Sequence, residues 1–214
     1  MPQRLGVSTS PVKTQELVVA TKNKKKLEEI RELLKDLPVR VSSLVDYPDA
    51  PRIVEDGRTF EQNALKKAAT IALYTRQLVL GEDSGLEVKA LHNRPGVYSA
   101  RYAGEDATDP KNNRRLLSEL RGVPMKKRGA RYRCAVALAD GRGLIGVVSG
   151  ACSGRIALKP KGTFGFGYDP LFLIDKFGET FAQLGPGIKH AMSHRYRALK
   201  KARRLILEYL SRNA

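Results

Sequence analysis

The sequence predicts a mixed α/β fold in which helices flank a central sheet and two lobes border a cleft. Three observations point there. Over roughly the first half, short apolar runs alternate with segments whose apolar residues recur at helical spacing. Residues 130–156 then switch to a period of two on either side of a tight "DGRG" turn, which adds an antiparallel component. The final stretch returns to the helical period.

The elements follow in order. "MPQRLGVSTSPVKTQ" (1–15) is small and polar, lacks the apolar stretch of a secretory signal, and reads as a disordered tail on a cytoplasmic protein. Residues 16–214 remain as a single domain. "ELVVAT" (16–21) reads as a strand that runs into a helix, on which Leu27, Ile30, Leu34 and Leu37 form one stripe. "VRVSS" (39–43) is a second strand. Thr59 begins a helix with Gln62 completing a capping box, and Phe60, Ala64, Ala68 and Ile71 are its buried face. "QLVLGED" returns as a strand that Gly85 should end in a turn. Asp109 and Pro110 should cap and open the next helix. In "ARYRCAVALAD", Tyr132, Cys134, Val136 and Leu138 share a face opposite Arg131 and Arg133, and "GLIGVVSGACSGRI" pairs with it. In "SHRYRALKKARRLILEYL", Leu199, Ala202, Ile206 and Tyr209 lie opposite Arg197, Lys200, Lys201 and Arg204.

A chain of 214 residues can bury a full core, and no run approaches the ~18 apolar residues of a membrane span. Cys134 and Cys152 are the two cysteines, so no disulfide framework is implied. The formal net charge is +17, from 39 Lys and Arg against 22 Asp and Glu. Residues 111–133 hold nine basic residues against Glu119, and residues 189–212 hold eight against Glu208, which together account for +15. Such concentration suits a polyanion, either a nucleic-acid backbone or a small phosphorylated molecule, although a solvated basic surface looks the same.

Four motifs could support chemistry. In "ATKNKKKLEEI" a strand passes through a polar loop to a helix N-terminus, where free N–H groups and the positive end of the helix dipole favour phosphate. Lys22, Lys24, Lys25 and Lys26 are unfavourable at that end unless an anion is present. Glu55, Asp56, Glu82 and Asp83 supply hard oxygens from two segments, as a magnesium ion leaning on substrate phosphates would require. "GTFGFGYDP" (162–170) interleaves glycines with Phe164, Phe166 and Tyr168, which suits stacking against a base with Asp169 free to hydrogen-bond. In "GIKHAMSHR" (187–195), Lys189, His194 and Arg195 read as donors to phosphate or carbonyl oxygen ahead of a helix capped by Ser193. A zinc site on His190 and His194 lacks the accompanying Glu of zinc proteases.

Together these motifs resemble the inosine/xanthosine triphosphate pyrophosphatase family, which hydrolyses deaminated purine nucleotides. The match runs from about Leu17 to about Leu210 and includes "EDSGLEV", "PGVYSARYAGEDATD", "FGYDP" and Lys189 to Arg195. It implies an elongated α/β fold with a central substrate cleft, a homodimer and dependence on Mg²⁺. By the same likeness Thr21, Lys22, Asn23, Lys24, Lys25 and Lys26 hold the triphosphate. Asp83 is general base and metal ligand, Glu55 a further ligand, and Ser84 touches substrate. Phe166, Gly167, Tyr168, Asp169, His194 and Arg195 hold the base, with Lys189 at the nucleotide. Two positions depart from the family pattern: Lys22 stands where Gly is common, and Glu82 where Asp is common.

The implied substrates are dITP, ITP and XTP, cleaved to the monophosphate and pyrophosphate by a carboxylate-oriented water. A donor such as Arg195 favours a purine 6-oxygen over adenine's amino group. Two rival readings are a nucleic-acid-binding protein and a pyrophosphatase for pyrimidine or methylated nucleotides. The first lacks a nucleic-acid motif and places acids where a backbone would lie, which leaves nucleic-acid association as a weak, charge-driven side property.

Overall fold

The computed structural model describes residues 14–213. The expected tail therefore lies outside the described residues, except that Gln15 already belongs to the first strand. Seven strands form one sheet in the order β2-β1-β3-β4-β5-β6-β7. They are β1 (Gln15–Val19), β2 (Val39–Ser43), β3 (Leu78–Val88), β4 (Gly129–Asp140), β5 (Gly143–Ile156), β6 (Phe172–Ile174) and β7 (Glu179–Thr180). β1 runs parallel to β2 and β3, and every pairing from β3 onward is antiparallel. The helices are α1 (Lys24–Leu34), α2 (Phe60–Thr75), α3 (Asp109–Glu119), α4 (Phe181–Met192) and α5 (His194–Arg212).

Helices cover both faces of the sheet because its central strands are apolar on both sides. β4 sends Cys134, Val136 and Leu138 to one face, where Leu27, Ile30 and Leu34 of α1 and Leu199, Ala202 and Ile206 of α5 meet them. Each such buried side chain contributes about 1.5–3 kcal/mol. Ala135, Ala137 and Ala139 face the other way, against Phe60, Ala64, Ala68 and Ile71 of α2. Small residues there let α2 sit close to the sheet. The approach is tightest at Gly81, where a Cβ would lie 2.2 Å from the Ala64 carbonyl oxygen and 2.6 Å from the Ala68 nitrogen. A third cluster, with Leu86, Tyr132, Phe172 and Phe181, forms the core of the second lobe.

Three local expectations are corrected. Gly85 does not end the strand: β3 continues to Val88, and Gly85 is needed because a Cβ would fall 2.4 Å from Ser99 Oγ. Thr108, not Asp109, caps α3, its hydroxyl accepting from the Lys111 N–H, and Asp109 is already helical. Gln62 accepts from the Arg58 N–H one residue before the Thr59 cap, so the expected capping box is displaced. The long β3 also creates the cleft. β1 pairs with it only through Leu80, and the chain leaving β1 turns into α1 beside residues 82–84.

Candidate active site

Successive side chains of a strand point to opposite faces, so adjacent Glu82 and Asp83 belong to different halves of the site. Both are buried. Glu82 faces α1 and α5. Its carboxylate is 2.8 Å from Lys26 Nζ and 3.1 Å from Arg195 Nη2, and the Cys134 thiol lies 3.3 Å away. Burial alone would raise the Glu82 carboxyl, but Lys26 and Arg195 hold it well below the usual carboxylate range. Lys26 thus finds its anion within the protein. Glu82 is committed to that pair and is no candidate metal ligand.

Asp83 faces α2. Asn63 Nδ2 donates to its Oδ2 at 3.1 Å, and Lys67 Nζ lies 3.1 Å from Oδ1. Lys67 also lies 2.8 Å from Glu55 Oε2, so one ammonium draws together the two carboxylates predicted to bind metal. Burial raises the Asp83 carboxyl, and Lys67 and Lys26 reverse only part of that rise, so it ends above its ordinary value. A raised carboxylate is a better proton acceptor near neutrality. Asp56 is not part of the site; it pairs on the surface with Lys66 at 2.7 Å.

The remaining predicted residues, apart from Lys24 and Lys25, line two cavities that share Asn23. One, about 530 Å³, contains Thr21, Lys22, Arg52, Glu55 and Lys67. Asn23 caps α1, accepting from the Lys26 N–H at 3.1 Å. Lys24 and Lys25 are exposed on the first turn of α1 and line neither cavity, although Lys25 Nζ sits 5.9 Å from the Phe166 ring centre. The other cavity, about 110 Å³, contains Lys26, Ser84, Phe166, Tyr168, Lys189 and Arg195, along with Gly167, Asp169 and His194.

In this second cavity the ionic groups are already paired. Lys189 Nζ lies 2.7 Å from Asp169 and 2.8 Å from Glu29, and Arg195 pairs with Glu29 as well as Glu82 and donates to Ser84 Oγ at 3.1 Å. Asp169 is not free for a base as expected; it accepts from the Phe166 N–H at 2.9 Å and anchors the glycine-rich loop. Burial raises its carboxyl, with Lys189 opposing. Asp109 accepts from the Gly167 N–H at 2.7 Å and Tyr168 donates to the Ser99 carbonyl at 2.9 Å, which fixes the rest of the loop. Phe166 is left with Lys189 Nζ 4.4 Å and the Arg195 guanidinium 5.6 Å from its ring centre.

His194 stacks on Tyr132 with ring centres 4.6 Å apart and planes within 9°. Burial, aided by Arg195 and Lys189, drives its pKa well below the ordinary value and keeps it neutral. His194 Nδ1 and Arg195 Nε are buried and have no partner within the protein among the described residues. His190 lies on α4, before the break at Ser193, and His194 opens α5, so the two histidines do not share one uninterrupted helix face.

Sequence reasoning missed Lys67, Asn63 and Glu29. Asn63 and Glu29 lie inside the motifs of residues 55–64 and "ATKNKKKLEEI" but received no role there, and Lys67 was visible only as a helical offset, four residues after Asn63 on α2. Their partners lie on other elements, and the spacing does not name them.

The fold is that of an α/β protein whose cleft opens where the parallel strands end, between two ionic clusters. The chain belongs to the Ham1 family, whose model matches residues 17–205. It is 54% identical over 185 residues to a dITP/XTP pyrophosphatase of Shouchella clausii, covering 86% of this chain and 92% of that one. It is 53% identical over 183 residues to the enzyme of the same name from Geobacter sulfurreducens, with the same coverage. Its structure resembles a HAM1 protein from Coxiella burnetii with a TM-score of 0.82 at 38% identity, over 91% of this chain and 99% of that one. The Staphylococcus aureus Ham1 protein gives 0.79 at 35% identity, over 94% and 100%.

Proposed function

We propose that this protein hydrolyses deaminated purine nucleoside triphosphates such as dITP, ITP and XTP to the monophosphate and pyrophosphate, and so clears them from the nucleotide pool. The observation behind it is Asp83, a buried carboxylate with a raised proton affinity, held by Asn63 and Lys67 beside the cation-rich loop of residues 21–26. Asp83 accepts a proton from the attacking water at the α-phosphorus. Lys67 stays protonated, since its neighbouring acids outweigh its burial, and it orients Asp83 and Glu55.

The donor set suits Mg²⁺. With the residues that line its two cavities and their ionic partners, the site holds six acids (Glu29, Glu55, Glu82, Asp83, Asp109 and Asp169) against six cations (Lys22, Lys26, Arg52, Lys67, Lys189 and Arg195), so a triphosphate entering it meets no surplus positive charge. Glu55 and Asp83 are two hard-oxygen ligands that already share one cation, and Mg²⁺ commonly takes one or two carboxylates together with substrate phosphates. When bound, the ion would neutralise phosphate charge.

Selection falls on the purine 6-position. Arg195 lines the smaller cavity and its Nε has no partner among the described residues; such a donor satisfies a 6-oxygen and repels adenine's amino group. No described helix is long and apolar enough to cross a membrane, and the same family likeness supports a cytoplasmic homodimer. Pyrophosphate release from dITP, XTP, dATP and dGTP with Mg²⁺ tests the reading. Turnover of dITP and XTP alone is the expected result, whereas equal turnover of all four, or of none, overturns it.

A further inference from the structure

A groove of about 1090 Å³ shares no lining residue with either cavity of the site. It runs between α5 and the β4–β5 ribbon, and its walls carry Arg131, Arg133, Arg197, Lys200, Lys201 and Arg204 with no acidic residue among them. Glu87 and Glu61 pair with Arg131 and Arg133, and Glu208 with Arg204, so the surroundings offset half of the six charges and leave a surplus of three.

The four cations of α5 recur at i, i+3, i+4 and i+7. At 1.5 Å per residue they form a row about 10 Å long. Two of them are fixed in place. β6 pairs with β5 only at Arg155 and Ile156, and the Ser149 and Ala151 carbonyls accept instead from Lys201 Nζ at 2.8 Å and Arg197 Nη1 at 2.9 Å. Each uses one donor there and keeps the rest, because lysine has three and arginine five. A row of cations with two of them anchored matches a repeating anion better than a single phosphate, which calls for converging donors. The lining has no aromatic side chain on which a base could stack. A second copy seated on a two-fold axis would bring the same cations face to face.

We propose that this groove binds the sugar–phosphate backbone of a nucleic acid and holds it without regard to base sequence. The test is fluorescence anisotropy of labelled single-stranded and duplex oligonucleotides with the full chain, over a salt series. Four phosphate contacts give a slope of log K against log salt of about −3 for the single strand, and so about 50-fold weaker binding at 200 mM than at 50 mM. The double variant Lys200→Glu/Arg204→Glu should weaken binding at least tenfold while keeping its circular dichroism and thermal unfolding. Lys126→Glu/Lys127→Glu makes the same charge change at exposed positions outside the groove and should leave binding within about twofold. Equal weakening by both double variants would reduce the effect to net charge and overturn the proposal. So would absence of binding at 50 mM salt, a strong base preference, or retention of inorganic polyphosphate but of neither oligonucleotide.

Discussion

Glu82 and Asp83 are neighbours in the chain and face opposite sides of β3, one bound to Lys26 and Arg195, the other to Asn63 and Lys67. That parity divides the labour of the cleft. One carboxylate has its proton affinity driven down and organises the cations around the smaller cavity. The other has it driven up and is suited to take a proton. A pair that reads in sequence as one acidic patch is two environments separated by the thickness of the sheet.

Asp83→Asn keeps the size of the side chain and removes the proton acceptor; its amide offers one acceptor oxygen, so it keeps one of the two bonds from Asn63 and Lys67. The expected loss in kcat on dITP is about 10²–10⁴-fold with KM nearly unchanged. Steady-state kinetics on the two proteins check it, and an unchanged kcat would take Asp83 out of the chemistry.

Lys67→Gln removes the cation that most lowers the Asp83 carboxyl, so that carboxyl rises further. Asp83 must be deprotonated to act. The acid limb of kcat/KM should therefore move to higher pH in the variant than in the wild type. A pH–rate profile shows the direction; a limb that stays put or moves down contradicts the assignment.

Glu82→Ala leaves Lys26 without its buried partner and Arg195 with Glu29 alone, and should cost about 3–5 kcal/mol. Glu82 is depressed in the folded state, so its contribution is full above the ordinary value of 4.5 and fades as pH falls from there through the folded value. Urea melts at neutral pH and below pH 4.5 should show wild type and Glu82→Gln converging on acidification. A constant gap between them would be inconsistent with this linkage.

Gly81→Ala forces a methyl group against backbone atoms of α2 at 2.2 and 2.6 Å, so β3 and α2 must move apart to admit it. The expected destabilisation is about 1–3 kcal/mol or more. Because Asn63 and Lys67 ride on α2, kcat should fall as well. A thermal melt with a parallel activity assay decides it; full activity with an unchanged melt would mean that α2 and β3 are not held at this spacing.

Much of the fold was legible because hydrophobic period is a local signal. Leu27, Ile30 and Leu34, the α2 face from Phe60 to Ile71, and the alternation through Tyr132 to Leu138 all lie where their spacing puts them. α4 was not legible, because Gly185 and Pro186 interrupt it and its helical signal is broken at that kink. The end of β3 was misjudged for a related reason. Glycine signals a turn in a chain considered alone, and only the approach of Ser99 and Phe60 shows that Gly85 is there to make room.

The sequence by itself singled out residues that the fold brings to one cleft, since Thr21, Asn23, Lys26, Asp83, Phe166 and Arg195 sit in short motifs whose chemistry is local. Tertiary structure decided what each does. Lys189 and Arg195 turn out to be shared between acids, Asp169 anchors a loop, and Lys67 joins Glu55 to Asp83 across two elements. The reason is physical: a side chain's charge state and free donors depend on its burial and its partners, and those are contacts between residues up to 166 positions apart in the chain.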